Sequence, residues 1–246
     1  MVTSDNLRLD GLLYEPDTKT NKVIVHVHGT SSDFYRTEYF EAMSAEYTNQ
    51  GYAFLTFNNR GSGLEYCFKT ITNGKIGKSI PIGSRNEIFE DCAIDIQTAI
   101  DFAKNKGFNE IVLQGHSYGC NKVIWYALEK NFNSKIVLLA PCDICNIEKK
   151  ENNKTRNAHD SNNFDMFHYR DQVIPQRFKN ITGEILVEIG TSDDSIRHDN
   201  VQECIDYLQK AFSNTNVQGH IIKNANHNYH GYEKELVKNI LGWLSK

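Results

Sequence analysis

Several features that would place this chain in a common class are missing from its sequence. No apolar run is long enough to span a membrane, and residues 1–6 are polar and lack the apolar core of a signal peptide. We therefore expect no membrane partner and a cytoplasmic location. Basic residues form no cluster and the net charge is −4, so nucleic acid is not expected as a partner either.

A complete metal-binding pattern is also missing. The six cysteines are scattered, and no second C-x-x-C or H-x-x-x-H follows Cys142 and Cys145 to complete a zinc site. In a chain of this length without a signal peptide, reduced thiols are expected rather than a disulfide framework. The cysteine and histidine spacing thus predicts no zinc site.

What is present is the composition and the alternation of a globular α/β protein. Hydrophobic residues make up 39% of the chain and charged residues 24%. Short apolar runs alternate with helical patterns, which favours a parallel sheet covered by helices on both faces. The expected strands are 23–27, 53–57, 111–113, 136–140, 185–189 and 217–222, and residues 7–14 suggest an antiparallel hairpin or edge strand. The expected helices lie near 39–49, 87–104, 121–130, 201–211 and 233–244.

One segment interrupts this alternation, at about residues 141–180. It contains an Asn- and Lys-rich stretch over 148–163, followed by the aromatic residues Phe164, Phe167 and Tyr169. A loop this long inside a domain is usually functional or disordered. We interpret it as a small cap whose aromatic residues bind substrate, on a single domain spanning 1–246; a disordered surface insertion is the alternative.

Residues 115–119 read G-x-S-x-G and lie between an apolar strand and a helical pattern. That layout is typical of a nucleophile elbow, in which a sharp strand-to-helix turn exposes the hydroxyl of the serine. Glycine is needed on either side because strand and helix pack closely there. Ser117 is therefore the candidate nucleophile.

A serine nucleophile needs a base, and the base needs a carboxylate that fixes its tautomer. Asp193 and Asp194 follow the strand 185–189, and His227 and His230 follow the strand 217–222. The carboxyl ends of parallel strands share one edge of a sheet, so these loops are expected near Ser117. We favour Asp193 and His227. Asp194, His230 and Asp143 remain alternatives.

The tetrahedral intermediate of acyl transfer needs two backbone N–H donors. Tyr118, directly after the nucleophile, is expected to supply one of them. The loop after the strand 23–27 reads His28-Gly29-Thr30, and the N–H of Thr30 is the expected second donor.

These motifs resemble the α/β-hydrolase superfamily, from about residue 10 to residue 246, and the resemblance implies a mostly parallel central sheet of about eight strands with helices on both faces. Its members carry the triad in the chain order serine, acid, histidine, which Ser117, Asp193 and His227 follow. Members often read Asp-x-Arg-Gly-x-Gly where this chain has Asn58 in place of the acid. Among them the chain is most similar to compact single-domain serine esterases, including feruloyl-esterase-like and siderophore-ester-hydrolase-like proteins.

The resemblance implies a serine hydrolase that cleaves carboxylic esters of small soluble substrates without a metal or organic cofactor. Amidase or peptidase, thioesterase and acyltransferase activities on the same triad are alternatives, because this fold hosts many reactions. A large oligopeptidase is not expected, since it needs a further domain. A non-catalytic ligand-binding protein on the same scaffold is a more distant alternative, because no member of the triad is missing.

Overall fold

The computed structural model describes residues 1–37, 39–141, 177–196 and 200–246. The strands in this part of the chain are β1 Gly11–Tyr14, β2 Lys22–Val27, β3 Ala53–Phe57, β4 Cys67–Thr72, β5 Lys75–Pro81, β6 Glu110–His116, β7 Ile136–Leu139, β8 Ile185–Gly190 and β9 Val217–Ile222. Seven of them form a central sheet in the order β1-β3-β2-β6-β7-β8-β9.

The central sheet is mostly parallel, as the sequence predicted. β1 pairs with β3 in the antiparallel direction, and the remaining neighbours pair in parallel. All six predicted apolar strands are present, and the antiparallel edge strand is β1. About eight strands were expected, whereas the described sheet has seven.

The strands β4 and β5 form a separate two-stranded hairpin that the sequence analysis did not predict. One edge of β4 is bonded to the N-terminal segment, where Arg8 N donates to Lys69 O and Ile71 N donates to Asn6 O. Every residue of β5 is exposed. β5 thus lies on the surface, whereas β4 buries Phe68 in one of the two core layers that flank the central sheet.

The helices of the described residues are α1 Tyr39–Asn49, α2 Gly83–Asn86, α3 Cys92–Asn105, α4 Tyr118–Lys130, α5 Val201–Ala211 and α6 Glu233–Leu244. The predicted bounds of α1, α5 and α6 are confirmed. At the start of α5, the side chain of Asn200 accepts a hydrogen bond from Gln202 N and caps the helix. The helix predicted from residue 87 begins only at Cys92, after a short 3₁₀ turn at Phe89–Asp91.

The core consists of two apolar layers, one on each face of the sheet. Along β2 the side chains alternate, so that Val23 and Val25 enter one layer and Ile24 enters the other. Helices α3, α4 and α5 cover the first layer, and α1 and α6 cover the second. The sheet therefore presents both faces to helices, which is the predicted architecture.

The register of the sheet sets where its loops emerge. Val27 at the end of β2 pairs with Gly115 in β6, so the chain leaves both strands side by side. The direction of the connections changes between these two strands, and such a switch point is where open α/β sheets bind ligands. Gly190 at the end of β8 pairs with Ile222 at the end of β9, which brings a second pair of loops to the same edge.

Two expectations about the rest of the chain can be compared with the structure. Cys67, Cys92 and Cys120 are free thiols, whereas Cys204 is disulfide-bonded. Reduced thiols were expected rather than a disulfide framework, and three of the four cysteines in the described part of the chain are reduced. In the part of the chain that the structure describes, no helix combines the length and the apolar character needed to cross a membrane.

Candidate active site

Ser117 lies between β6 and α4 in a backbone conformation that side chains rarely adopt. Its φ is 54° and its ψ is −123°, and its N–H donates to Leu139 O at 2.9 Å. A Cβ atom on Gly119 would lie 2.1 Å from Val27 O, and one on Gly115 would lie 2.6 Å from Gly119 O. Both glycines are thus required by the close approach of strand and helix, which leaves Ser117 half-buried at the turn.

Asp193 and His227 meet at the end of the neighbouring strands. His227 Nδ1 lies 3.0 Å from each carboxylate oxygen of Asp193. Asp193 Oδ1 also accepts the N–H of Ser195 at 2.9 Å, and the Asp193 side chain is fully buried. The carboxylate accepts the Nδ1 proton, so Nε2 of neutral His227 is left as an acceptor. Of the alternatives, Asp194 is exposed.

Short backbone approaches bring these two loops together. A Cβ atom on Gly190, which precedes the acid loop, would lie 2.1 Å from Ala225 O in the histidine loop. Ser192 N donates to the same carbonyl at 2.9 Å, and Asn224 N donates to Thr191 Oγ1 at 2.8 Å. Hydrogen bonds and close packing therefore hold the Asp193 and His227 loops against each other at the ends of their strands.

His116 was not among the predicted site residues, although it lies inside the elbow motif. Its Nε2 donates to the backbone oxygen of His227 at 2.8 Å, and the two imidazole rings are 5.0 Å apart. Burial, together with the neighbouring His227 ring, lowers the pKa of His116 to about 4. His116 is therefore neutral at pH 7. As the residue before Ser117, it joins the elbow to the histidine loop by a direct hydrogen bond.

The His28-Gly29-Thr30 loop lies against the serine. A Cβ atom on Gly29 would be 2.9 Å from Ser117 Cβ and 3.4 Å from Ser117 Oγ. The N–H of Thr30 donates no hydrogen bond within the described residues, and Thr30 is exposed. Tyr118 is the first residue of α4, so its N–H belongs to the positive end of that helix.

The remaining predicted residues fall elsewhere. Phe164, Phe167 and Tyr169 of the expected cap lie outside the described residues, as does Asp143. Among the residues that the structure describes, no group of His, Cys, Asp or Glu is arranged to hold a metal ion. The described residues thus provide a strained serine, a glycine loop against it, and an acid–histidine pair whose loop is bonded to the residue before the serine.

Comparison with known proteins identifies the family. The model of the prolyl oligopeptidase family matches residues 38–246. The chain belongs to the prolyl oligopeptidase family. As a member of the prolyl oligopeptidase family it is a hydrolase of the α/β-hydrolase superfamily. The matched region includes the elbow and both loops of the acid–histidine pair, and it begins after the His28-Gly29-Thr30 loop.

Several solved structures share the fold of this chain. An esterase from Butyrivibrio proteoclasticus with ferulic acid bound is 17% identical, with a TM-score of 0.71 over 98% of this chain and 97% of that one. An esterase from Pyrococcus furiosus is 16% identical, with a TM-score of 0.65 over 99% and 87%. A dienelactone hydrolase from Anabaena variabilis is 16% identical, with a TM-score of 0.58 over 96% and 91%. No curated protein sequence matches the chain.

Proposed function

We propose that this protein is a serine hydrolase that cleaves carboxylic esters of small soluble substrates through an acyl-enzyme on Ser117. The observation that carries the proposal is the contact of His227 Nδ1 with both oxygens of the buried Asp193 carboxylate. The histidine loop is bonded through His227 O to His116, the residue before the strained Ser117. The pairing with Asp193 supports a histidine whose Nε2 is held ready to accept a proton.

The proposed cycle has two steps. Ser117 Oγ attacks the ester carbonyl while His227 Nε2 accepts its proton, and the N–H groups of Thr30 and Tyr118 bind the oxyanion. The imidazolium, stabilised by Asp193, gives the proton to the leaving alcohol. Water then attacks the acyl-enzyme with His227 as the base, and the acid product leaves with Ser117 regenerated.

The proposal is tested with p-nitrophenyl acetate and a fluorophosphonate probe. We expect the wild-type protein to hydrolyse the ester and to be labelled at Ser117, as read by peptide mass spectrometry. Ser117→Ala should remove labelling and lower kcat by a factor on the order of 10⁶. Ser213→Ala, at an exposed serine in the turn after α5, is the matched control and should leave both unchanged. Neither turnover nor labelling of the wild type would overturn the proposal.

A second candidate function, peptidase or amidase activity on the same residues, is favoured by the match to the prolyl oligopeptidase family. The nucleophile and the acyl-enzyme would be the same, and only the leaving group would be an amine instead of an alcohol. The kcat/KM values for acetyl, feruloyl and butyryl esters are compared with those for aminoacyl- and prolyl-p-nitroanilides. Higher values for the anilides would favour the peptidase over the esterase.

A further inference from the structure

A fully buried ion pair lies beneath the candidate active site. Lys122 Nζ in α4 lies 2.6 Å from Glu87 Oε2, and the exposed fractions of the two side chains are 0% and 1%. Replacing such a pair by apolar side chains is often neutral or stabilising, because the loss of hydration offsets the attraction. Glu87 Oε1 accepts no hydrogen bond from the described residues, which makes this pair a poor source of stability. The presence of this ion pair therefore points to a role other than stability.

The ammonium group also holds a side-chain amide in one orientation. Lys122 Nζ donates to Asn59 Oδ1 at 2.8 Å, and the N–H of Gly61 donates to the same oxygen at 2.9 Å. Because both donors approach Oδ1, the amide nitrogen faces the other way and donates to His28 O at 3.2 Å. A Cβ atom on Gly61 would lie 2.6 Å from Lys122 Nζ, so the backbone leaves space for the charge only at a glycine.

The imidazole of His28 is held in one tautomer by the same loop. His28 Nδ1 lies 2.8 Å from Gly29 O, and because a carbonyl oxygen can only accept, Nδ1 carries the proton of the neutral ring. Nε2 is therefore the acceptor, with the backbone N–H of Asn59 at 3.2 Å and Ser62 Oγ at 2.8 Å. Burial and, after it, the Lys122 ammonium lower the pKa of His28 to about 3, which keeps the ring neutral.

The carbonyl of Gly29 belongs to the same peptide unit as the N–H of Thr30. In a trans peptide the carbonyl and the N–H point in opposite directions, and the unit is planar. The hydrogen bond from His28 to the carbonyl, together with a longer one of 3.4 Å from the N–H of Ser32, therefore fixes the direction of the Thr30 N–H. That N–H is the one proposed to bind the oxyanion, and its own residue follows a glycine in contact with Ser117.

We propose that Lys122 and Glu87 are positioning residues for the oxyanion. They hold Asn59, and through it His28, so that the peptide carrying the Thr30 N–H keeps the orientation needed in the transition state. The carboxylate neutralises an ammonium that could not otherwise be buried. This inference rests on the proposed serine hydrolase function and adds to it a specific role for a charge pair that does not contact the substrate.

The test uses the double variant Lys122→Met/Glu87→Leu, which removes both charges at similar side-chain size. Ile240→Val in α6, on the opposite face of the sheet, is the control for a small loss of stability. With p-nitrophenyl acetate we expect the double variant to lose about 10-fold or more in kcat at little change in KM. Losing an oxyanion donor altogether costs about 10²–10³ in kcat, and here the donor is only misdirected.

A second readout separates this role from a merely structural one. A trifluoromethyl ketone forms a tetrahedral adduct that needs the same donors, so its inhibition constant should rise by the factor by which kcat/KM falls. Asn59→Asp keeps an oxygen for Lys122 but removes the amide donor to His28 O. This variant should also lower kcat. It tests the positioning role even if the double variant does not fold.

The outcomes are distinct. The inference would be overturned if the folded double variant, or Asn59→Asp, kept a kcat within about twofold of the wild type. A rise in KM alone would overturn it as well. Either result would leave the proposed function intact. A wild-type protein that neither turns over nor is labelled would overturn the proposed function, and this inference with it. NMR of the imidazole nitrogens gives a result that is independent of activity. A proton on Nε2 of His28 in the wild type would also contradict the inference.

Discussion

Asn in place of Asp193 is the most informative single perturbation of the candidate site. The carboxylate lies 3.0 Å from His227 Nδ1 through both of its oxygens, and its side chain is fully buried. An amide can turn its nitrogen toward Nδ1 and donate there. The imidazole would then carry its proton on Nε2, the position that must accept the proton of Ser117, and the imidazolium would lose its counter-charge.

The expected size of the effect follows from this loss of tautomer and charge. Where a histidine is held by a buried carboxylate in this way, the amide substitution costs about 10⁴ in kcat, or about 5.4 kcal/mol of transition-state stabilisation. KM should change little, because Asp193 is not placed to contact the substrate. The fold should survive, since the amide oxygen of Asn can still accept the N–H of Ser195 that Oδ1 accepts now.

The assay is steady-state hydrolysis of p-nitrophenyl acetate by Asp193→Asn, with Asp194→Asn as the matched control. The control makes the same chemical change at the next residue, which is exposed and should lose less than about threefold in kcat. Circular dichroism establishes that both variants are folded. An equal or larger loss at Asp194, or a loss of less than tenfold at Asp193, would refute the assignment of the acid.

Two further predictions concern the stability of the folded protein. Gly119→Ala places a Cβ atom 2.1 Å from Val27 O and should lower the free energy of unfolding by about 3 kcal/mol, whereas Gly242→Ala, in α6 with open space around it, should raise it by about 1 kcal/mol. Denaturant unfolding measures both, and equal effects would contradict the packing argument. The hydrogen bond to Glu188 raises the pKa of His220 above 6.5, so its stabilisation is present below about pH 6.5 and is lost as pH rises through the higher folded value. The Tm of the wild type should therefore fall more steeply above pH 6.5 than that of His220→Gln, and parallel profiles would contradict this.

The parallel strands were predictable because buried β-branched runs have few alternatives. β5 was not, because Lys75, Lys78 and Gly77 interrupt any apolar alternation and the whole strand is exposed. The start of α3 at Cys92, rather than at residue 87, could not be predicted for a different reason. Glu87 looks helical in sequence, yet its backbone is extended, with φ −66° and ψ 138°, and its carboxylate is used in a contact with a distant helix.

In the candidate site, too, some features were predictable from the sequence and others were not. The contact between Asp193 and His227 was predictable because chain order and strand ends place the two residues near each other without any knowledge of side-chain contacts. His116 and Lys122 were missed since nothing local distinguishes them. One occupies a variable position of the elbow motif, and the other is a lysine in a helix, a residue that is usually exposed. Their partners lie far away in sequence, at His227 and Glu87, so only the folded chain shows these contacts.

The position of the strands within the sheet has a consequence for how activity responds to partial unfolding. Ser117 follows β6, which lies in the middle of the sheet between β2 and β7, but His227 follows β9, which forms its edge. Edge elements open locally at a lower free energy than central ones. A transient opening of β9 would carry His227, the proposed base, away while the elbow stayed folded. Under the proposed mechanism, activity therefore depends on the stability of one peripheral strand, whatever the stability of the whole sheet.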